Sequence, residues 1–197
     1  LQIMRDIRQE FDVAMVSEVP GPDKIEPLLE LTDMFQIGAR NAQNYDLLEQ
    51  IAKAGKPVLL KRGSASTVEE WLTAAEYLIV NNCPQVVLCE RGLRSFDPST
   101  RNLLDLGAVA VARQLSHLPI LVDPSHAAGA RRLVPALSRA GIAVGADGLI
   151  VEAHPDPLNA FSDAPQQLET GKFQAFLDDL APWIELARKE RRRPEPA

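Results

Sequence analysis

Cysteine is scarce: Cys83 and Cys89 are the two in 197 residues. They lack metal-finger spacing and adjoin apolar runs, which excludes a disulfide scaffold and a zinc knuckle and predicts free thiols in a reducing compartment. Cations are in deficit, 21 Lys plus Arg against 27 Asp plus Glu, for a formal net charge of −6. That sign excludes attachment to nucleic acid or anionic lipid by bulk charge, so an anionic ligand has to be met by a local group of cations. No apolar run approaches the roughly 20 residues of a membrane-spanning helix, and the opening segment is charged and amphipathic, unlike a secretion signal. A cytoplasmic protein is expected. The first residue is not Met, and Leu1, Met4, Ile7 and Phe11 recur at helical spacing with no cap before them. The chain therefore reads as a fragment that opens inside or near a helix.

What is present is an ordinary globular balance, 46% hydrophobic and 24% charged, enough for one sizeable core. Short apolar runs at 13–18 (VAMVSE), 58–62 (VLLKR), 86–91 (VVLCER), 120–126 (ILVDPSH) and 149–154 (LIVEAH) each turn polar at their C-terminal end. A sixth at 34–40 (MFQIGAR) does the same after a Gly-Ala bend. Apolar runs without strict alternation predict strands buried on both faces, hence a parallel sheet. Helical patterns at 24–31, 45–54, 68–81, 101–115, 131–141 and 171–190 separate or follow them. Strand and helix alternate at the spacing of a (β/α)8 barrel or of a doubly wound sheet, both of which bind ligands at strand C-termini. Six βα units are countable; read as a barrel, the chain lacks the first two. One partial domain is expected at 1–190, followed by a solvated basic, proline-containing tail at 191–197.

The strand ends carry the chemistry. Arg40, Lys61, Arg62, Arg91 and Arg94 place cations on one rim of an acidic protein, a pattern suited to phosphate and carboxylate. Pairing of these ends with nearby acids such as Glu90 explains the pattern equally well. A second group, His126, Glu152, His154 and Asp163, comes from the last two strands and the loop beyond. Adjacent strand ends lie close enough for His126 and Glu152 to share a divalent ion, and Glu152 and His154, two apart, lean to one face. Spacing alone leaves a hydrogen-bonded structural histidine equally open.

The wording of five segments is more specific. QIGARNAQN at 36–44, PVLLKRG at 57–63, LCERGLR at 88–94, PILVDPSH at 119–126, and IVEAHP at 150–155 with Ser162 and Asp163 resemble the type I 3-deoxy-D-arabino-heptulosonate 7-phosphate (DAHP) synthases. These are metal-dependent TIM-barrel enzymes that condense phosphoenolpyruvate with erythrose 4-phosphate at the entry of the shikimate pathway, leading to aromatic amino acids. The resemblance runs from about Val13 to Trp183, on the branch close to 3-deoxy-D-manno-octulosonate 8-phosphate synthase. It implies that Arg40, Lys61 and Arg91 hold the phosphate and carboxylate of phosphoenolpyruvate, with the Ala39 backbone near the phosphate and Glu18 lining the pocket. It also implies that His126, Glu152 and Asp163 ligate manganese, iron, cobalt or zinc, manganese first, with His154 a neighbour. Lys61 and His126 are the implied catalytic residues, and a homo-oligomer is the implied assembly.

The match is incomplete. The family's Gly-Pro-Cys turn, whose cysteine is a fourth metal ligand, and its Lys-Pro-Arg segment do not occur in this sequence. Cys89 has the facing of Arg91 but lies about 7 Å deeper along its strand, so it reads as a core thiol rather than a replacement. Three alternatives stay open: the octulosonate enzyme, which takes arabinose 5-phosphate; a non-catalytic, anion-binding half-barrel; and a metal-free aldolase with Lys61 as a Schiff-base amine.

Overall fold

The computed structural model describes residues 1–191, so the tail expected at 191–197 lies outside it apart from Arg191, the last residue of the final helix. The chain divides into two compact units, Leu1–Cys89 with Ser116–Pro119, and Glu90–Leu115 with the chain from Ile120 onward. Among the described residues no helix is long and apolar enough to cross a membrane.

In the first unit, α1 (Gln2–Glu10) precedes β1 (Val16–Glu18), α2 (Ile25–Leu29), β2 (Met34–Ile37), α3 (Tyr45–Lys53), β3 (Val58–Lys61), α4 (Val68–Val80) and β4 (Val86–Glu90), whose last residue belongs to the second unit. The strands are parallel and neighbour one another in sequence order, β1 to β2 to β3 to β4. That order has no reversal point, which separates it from the doubly wound alternative. β3 is buried along its whole length, as its unbroken apolar run predicts for a strand covered on both faces. Helix α4 begins at a reciprocal capping box: Thr67 Oγ1 accepts from the Glu70 N–H at 3.1 Å, and the Glu70 carboxylate accepts from the Thr67 N–H at 2.8 Å. Trp71, 1% exposed, seats α4 on the sheet and donates its indole N–H to Leu60 O at 3.3 Å. Helix α1 has no buried residue; it is tied down by Arg8, which pairs with Asp33 at 2.8 Å.

The second unit contains α5 (Leu106–Leu115), β5 (Ile120–Val122), α6 (Pro124–Ala128), α7 (Val134–Ala143), β6 (Gly148–Leu149), β7 (Ala153–His154), β8 (Leu168–Glu169) and α8 (Phe173–Arg191). Strands β5 and β6 pair in parallel, Leu121 opposite Gly148 and Val122 opposite Leu149. The buried residues Ala128, Val134, Ile142, Leu168, Phe176 and Leu180 form its core. Among the described residues the six expected βα units are those found.

Two expectations are corrected. Residues 101–105 are not helical: Asp105 accepts from the Ala108 N–H at 2.9 Å and starts α5 at Leu106, while Leu103 forms an antiparallel bridge with Leu93. The run at 120–126 is a strand only to Val122. Asp123 then caps α6, Pro124 takes its first position and Gly129, with φ 64°, closes it, so His126 sits on a helical turn rather than on a strand.

Candidate metal centre and strand-end cations

Helix α6 aims His126. The Asp123 carboxylate accepts from the His126 backbone N–H at 3.0 Å through Oδ1, and its Oδ2 lies 2.8 Å from His126 Nδ1. Asp123 is 1% exposed. With Nδ1 engaged by a carboxylate, Nε2 is the nitrogen presented outward. Asn102 Nδ2 donates to His126 O at 2.8 Å and holds the helical turn from the other side.

Glu152 and Asp163 arrive by different routes. The run at 149–154 is not one strand: β6 ends at Leu149, and Ala153 and His154 form β7, paired with β8. The expected strand-mate relation of Glu152 and His154 is therefore corrected. Glu152 lies between the strands, its N–H donated to Ser125 Oγ at 3.0 Å and its carbonyl accepting from the Leu168 N–H at 2.8 Å. Asp163 takes the left-handed conformation, φ 54°, in the turn where its carbonyl accepts from the Gln166 N–H at 3.0 Å. Aspartate tolerates that conformation better than most residues.

These placements bring three donors together. His126 Nε2 is 3.8 Å from Glu152 Oε1 and 3.8 Å from Asp163 Oδ2. One ligand atom from each of His126, Glu152 and Asp163 lies within 4.8 Å of the others, and all three side chains are half-buried. One imidazole and two carboxylates form the N/O donor set that first-row divalent ions accept. His154 stands outside the group, and its Nδ1 accepts from the Asp156 N–H at 3.0 Å.

Two side chains brace this group that sequence reasoning did not single out. Arg101 Nη1 donates to Asp163 Oδ1 at 2.7 Å and to Gln166 Oε1 at 2.9 Å. Gln166, 1% exposed, donates through Nε2 to Glu152 Oε2. Arg101 and Gln166 are 65 residues apart, so no local pattern links them; the visible signal was a polar, uncharged Gln166 beside the acid-bearing loop.

The strand-end cations differ among themselves. In the first unit, Arg40 is exposed on the turn Ala39–Asn41 after β2, and Lys61 ends β3 buried at 6% exposure. Arg62, 3% exposed, is absorbed by the fold: its Nε donates to Ser66 O at 2.9 Å, and its guanidinium lies 5.8 Å from the Trp71 ring centroid. Glu18 ends β1 with its carboxylate laid over Gly38, where an added Cβ would meet Oε1 at 2.1 Å. Ala39, the next residue, is half-buried. In the second unit, Arg91 is half-buried just beyond β4 and Arg94 is exposed. Glu90 is fully buried, its Oε1 accepting from the Gly92 N–H at 2.7 Å. Both cysteines are buried thiols in no disulfide, and burial pushes the Cys83 thiol above its ordinary range.

Parallel strands alternating with helices, with donor side chains gathered beyond the strand C-termini, define an α/β protein of the barrel-enzyme type. The residues carry the family more closely than the fold does. The chain belongs to the DAHP synthetase I family, whose model matches residues 1–185. It is 48% identical over 180 residues to a phospho-2-dehydro-3-deoxyheptonate aldolase of Thermotoga maritima, a match covering 91% of this chain and 53% of that one. The solved structure of the DAHP synthase from Thermotoga maritima matches with a TM-score of 0.91 at 46% identity, over 94% of this chain and 55% of that one. A 2-dehydro-3-deoxyphosphooctonate aldolase of Acidithiobacillus ferrooxidans is more distant, 31% identical over 90% of this chain and 66% of its own. The chain thus spans about half the length of the Thermotoga protein it matches.

Proposed function

We propose that this chain serves the condensation of phosphoenolpyruvate with erythrose 4-phosphate to DAHP and phosphate, the first step of the shikimate pathway. The observation that carries the reading is the convergence of His126, Glu152 and Asp163 in a chain of this family. The greater identity to the heptonate enzyme, 48% against 31%, favours erythrose 4-phosphate as the aldehyde.

In this reading C3 of phosphoenolpyruvate bonds to the aldehyde carbon, whose oxygen takes a proton and becomes a hydroxyl. Water adds at C2, and the C2–O bond to phosphate breaks, leaving a ketone and inorganic phosphate. His126, Glu152 and Asp163 hold a divalent ion, with manganese first and iron, cobalt or zinc accepted by the same donors. Such an ion, when bound, supplies Lewis acidity and orientation at the aldehyde oxygen. Arg40 and Lys61 bind the anionic groups of phosphoenolpyruvate, as does Arg91, because guanidinium forks and an ammonium suit phosphate and carboxylate. The Ala39 backbone lies near the phosphate and Glu18 lines the pocket. Fixed cations of this kind offset repulsion between two anionic substrates before reaction starts. Lys61 also passes a proton to the forming hydroxyl. A cytoplasmic homo-oligomer is part of the same reading.

The test is inorganic phosphate release from phosphoenolpyruvate by the protein that carries this chain, offered erythrose 4-phosphate or arabinose 5-phosphate. Release that depends on erythrose 4-phosphate supports the reading. A preference for arabinose 5-phosphate assigns the octulosonate reaction instead, and binding of phosphoenolpyruvate with no release under either sugar assigns an anion-binding module.

A further inference from the structure

We propose that Gln166 and Arg101 are positioning residues that tie back one oxygen each of Glu152 and Asp163, so that each carboxylate offers a single oxygen to a divalent cation. The inference rests on the metal reading above and deepens it.

Each of the three donor side chains has two polar atoms, and in each one atom is engaged away from the centre. His126 Nδ1 is taken by Asp123 Oδ2 at 2.8 Å, and Asp163 Oδ1 accepts from Arg101 at 2.7 Å. Glu152 Oε2 accepts from Gln166. The partner atoms, Nε2, Oδ2 and Oε1, are the ones that face one another across 3.8 Å from the imidazole. Glu152, Gln166, Arg101 and Asp163 thus form one continuous chain of hydrogen bonds joining the two carboxylates.

That chain has a direction. Arginine carries donors and no acceptor, so the amide atom 2.9 Å from Arg101 has to be the Gln166 oxygen, and the amide NH2 is left to face Glu152. Gln166 is 1% exposed, so water does not compete for either end. Arg101 is itself fixed through its backbone, its N–H donated to Ala128 O at 3.2 Å. A Cβ added at Gly129 would lie 2.4 Å from Arg101 Cβ, so the approach depends on glycine there. Gln166 is uncharged, and it therefore orients Glu152 without altering the charge presented to the cation. Arg101 orients Asp163 while opposing the cation electrostatically, which makes the sign of its effect diagnostic.

The experiment titrates the chain with Co2+ alone and follows its visible absorption, whose intensity and position report the number and arrangement of ligands. Wild type is expected to bind Co2+ at one site. Gln166→Met, close in length and neutral, is expected to weaken binding about 10–100-fold, the usual loss when a side chain that orients a metal ligand is removed, and to change the absorption bands as Glu152 rotates. Arg101→Met, at an exposed side chain, is expected to weaken binding as well, and it tests the same chain of bonds should Gln166→Met fail to fold. The double variant is expected to lose less than the product of the two single losses, because both sever one network. Unchanged affinity and spectrum in the variants, or tighter binding in Arg101→Met from lost repulsion alone, overturns the positioning role while leaving the metal reading intact. Absence of Co2+ binding by wild type overturns both.

Discussion

Asp123 grips His126 twice, its Oδ1 accepting the backbone N–H at 3.0 Å and its Oδ2 meeting the ring Nδ1 at 2.8 Å. The two contacts do different work: one caps α6, and the other sets the proton position on the imidazole. Asp123→Asn separates them. The amide oxygen can keep the cap while the amide NH2 faces Nδ1, which sends the ring proton to Nε2, the nitrogen meant for the cation. The variant is expected to fold normally by circular dichroism and to lose Mn2+ affinity by about 10-fold or more in equilibrium dialysis. Mn2+ affinity equal to wild type would remove Asp123 from this role.

Gly129 is required by both conformation and space. Its φ of 64° suits glycine, and an added Cβ would meet Arg101 Cβ at 2.4 Å. Gly129→Ala is expected to cost about 1–3 kcal/mol from backbone strain and displacement, read from denaturant midpoints, and to weaken Mn2+ binding because Arg101 moves.

Gly38→Ala makes a contrasting case. Its φ of −65° is ordinary, and the obstacle to a Cβ is the Glu18 carboxylate, the mobile end of a side chain. Stability is expected to change by under about 1 kcal/mol, in the range of substitutions that create no large strain, while Glu18 swings off its seat. If Glu18 lines the phosphoenolpyruvate pocket, Gly38→Ala and Glu18→Gln alter the phosphoenolpyruvate KM in parallel. A changed KM in neither variant would take Glu18 out of the pocket.

Asp33 gives the first unit an acid-sensitive joint. Its Oδ2 accepts from the Met15 N–H at 2.7 Å, and Oδ1 pairs with Arg8 of α1 at 2.8 Å. The Met15 hydrogen bond foremost, then the nearby Arg8 and Lys56 charges, hold its carboxyl below the ordinary aspartate range despite an opposing contribution from burial. A lowered native value means that the stabilisation is present above the unfolded value and is lost as pH falls through the native one. Asp33→Asn is therefore expected to lower stability at pH 7, with the difference from wild type shrinking below about pH 4, the unfolded aspartate range. A difference that persists unchanged into strong acid would contradict this.

Much of the fold is legible because strands buried on both faces announce themselves as unbroken apolar runs, as at Val58–Lys61. Two of the errors fall where a short capping signal outweighs a longer pattern, and the third where the run at 149–154 breaks after Leu149 and resumes in a separate sheet at Ala153. Asp123, Pro124 and Gly129 mark a helix of five residues inside what reads as a strand, and Asp105 delays α5 to Leu106. The donors are visible as residue types, His126 and Glu152 near strand ends and Asp163 in the loop beyond, while their convergence depends on the α6 turn and the left-handed turn at Asp163, which no periodicity marks. The role of Arg101 is not visible, since Asp163 and Gln166 lie 62 and 65 residues further along the chain; Gln166 shows only as a polar, uncharged residue beside the acid-bearing loop. Arg62 shows the reverse: a cation in a suggestive position that the fold uses for Ser66 and the Trp71 ring.

The most direct test of the account is turnover after chelation. The protein carrying this chain is freed of metal, assayed for phosphate release from phosphoenolpyruvate and erythrose 4-phosphate, and assayed again after Mn2+ is restored, beside Glu152→Ala. The account predicts that release stops on chelation, returns with Mn2+ in wild type and stays absent in the variant. Undiminished turnover after chelation, with Lys61 trapped by borohydride in the presence of substrate, would contradict it and assign a Schiff-base aldolase.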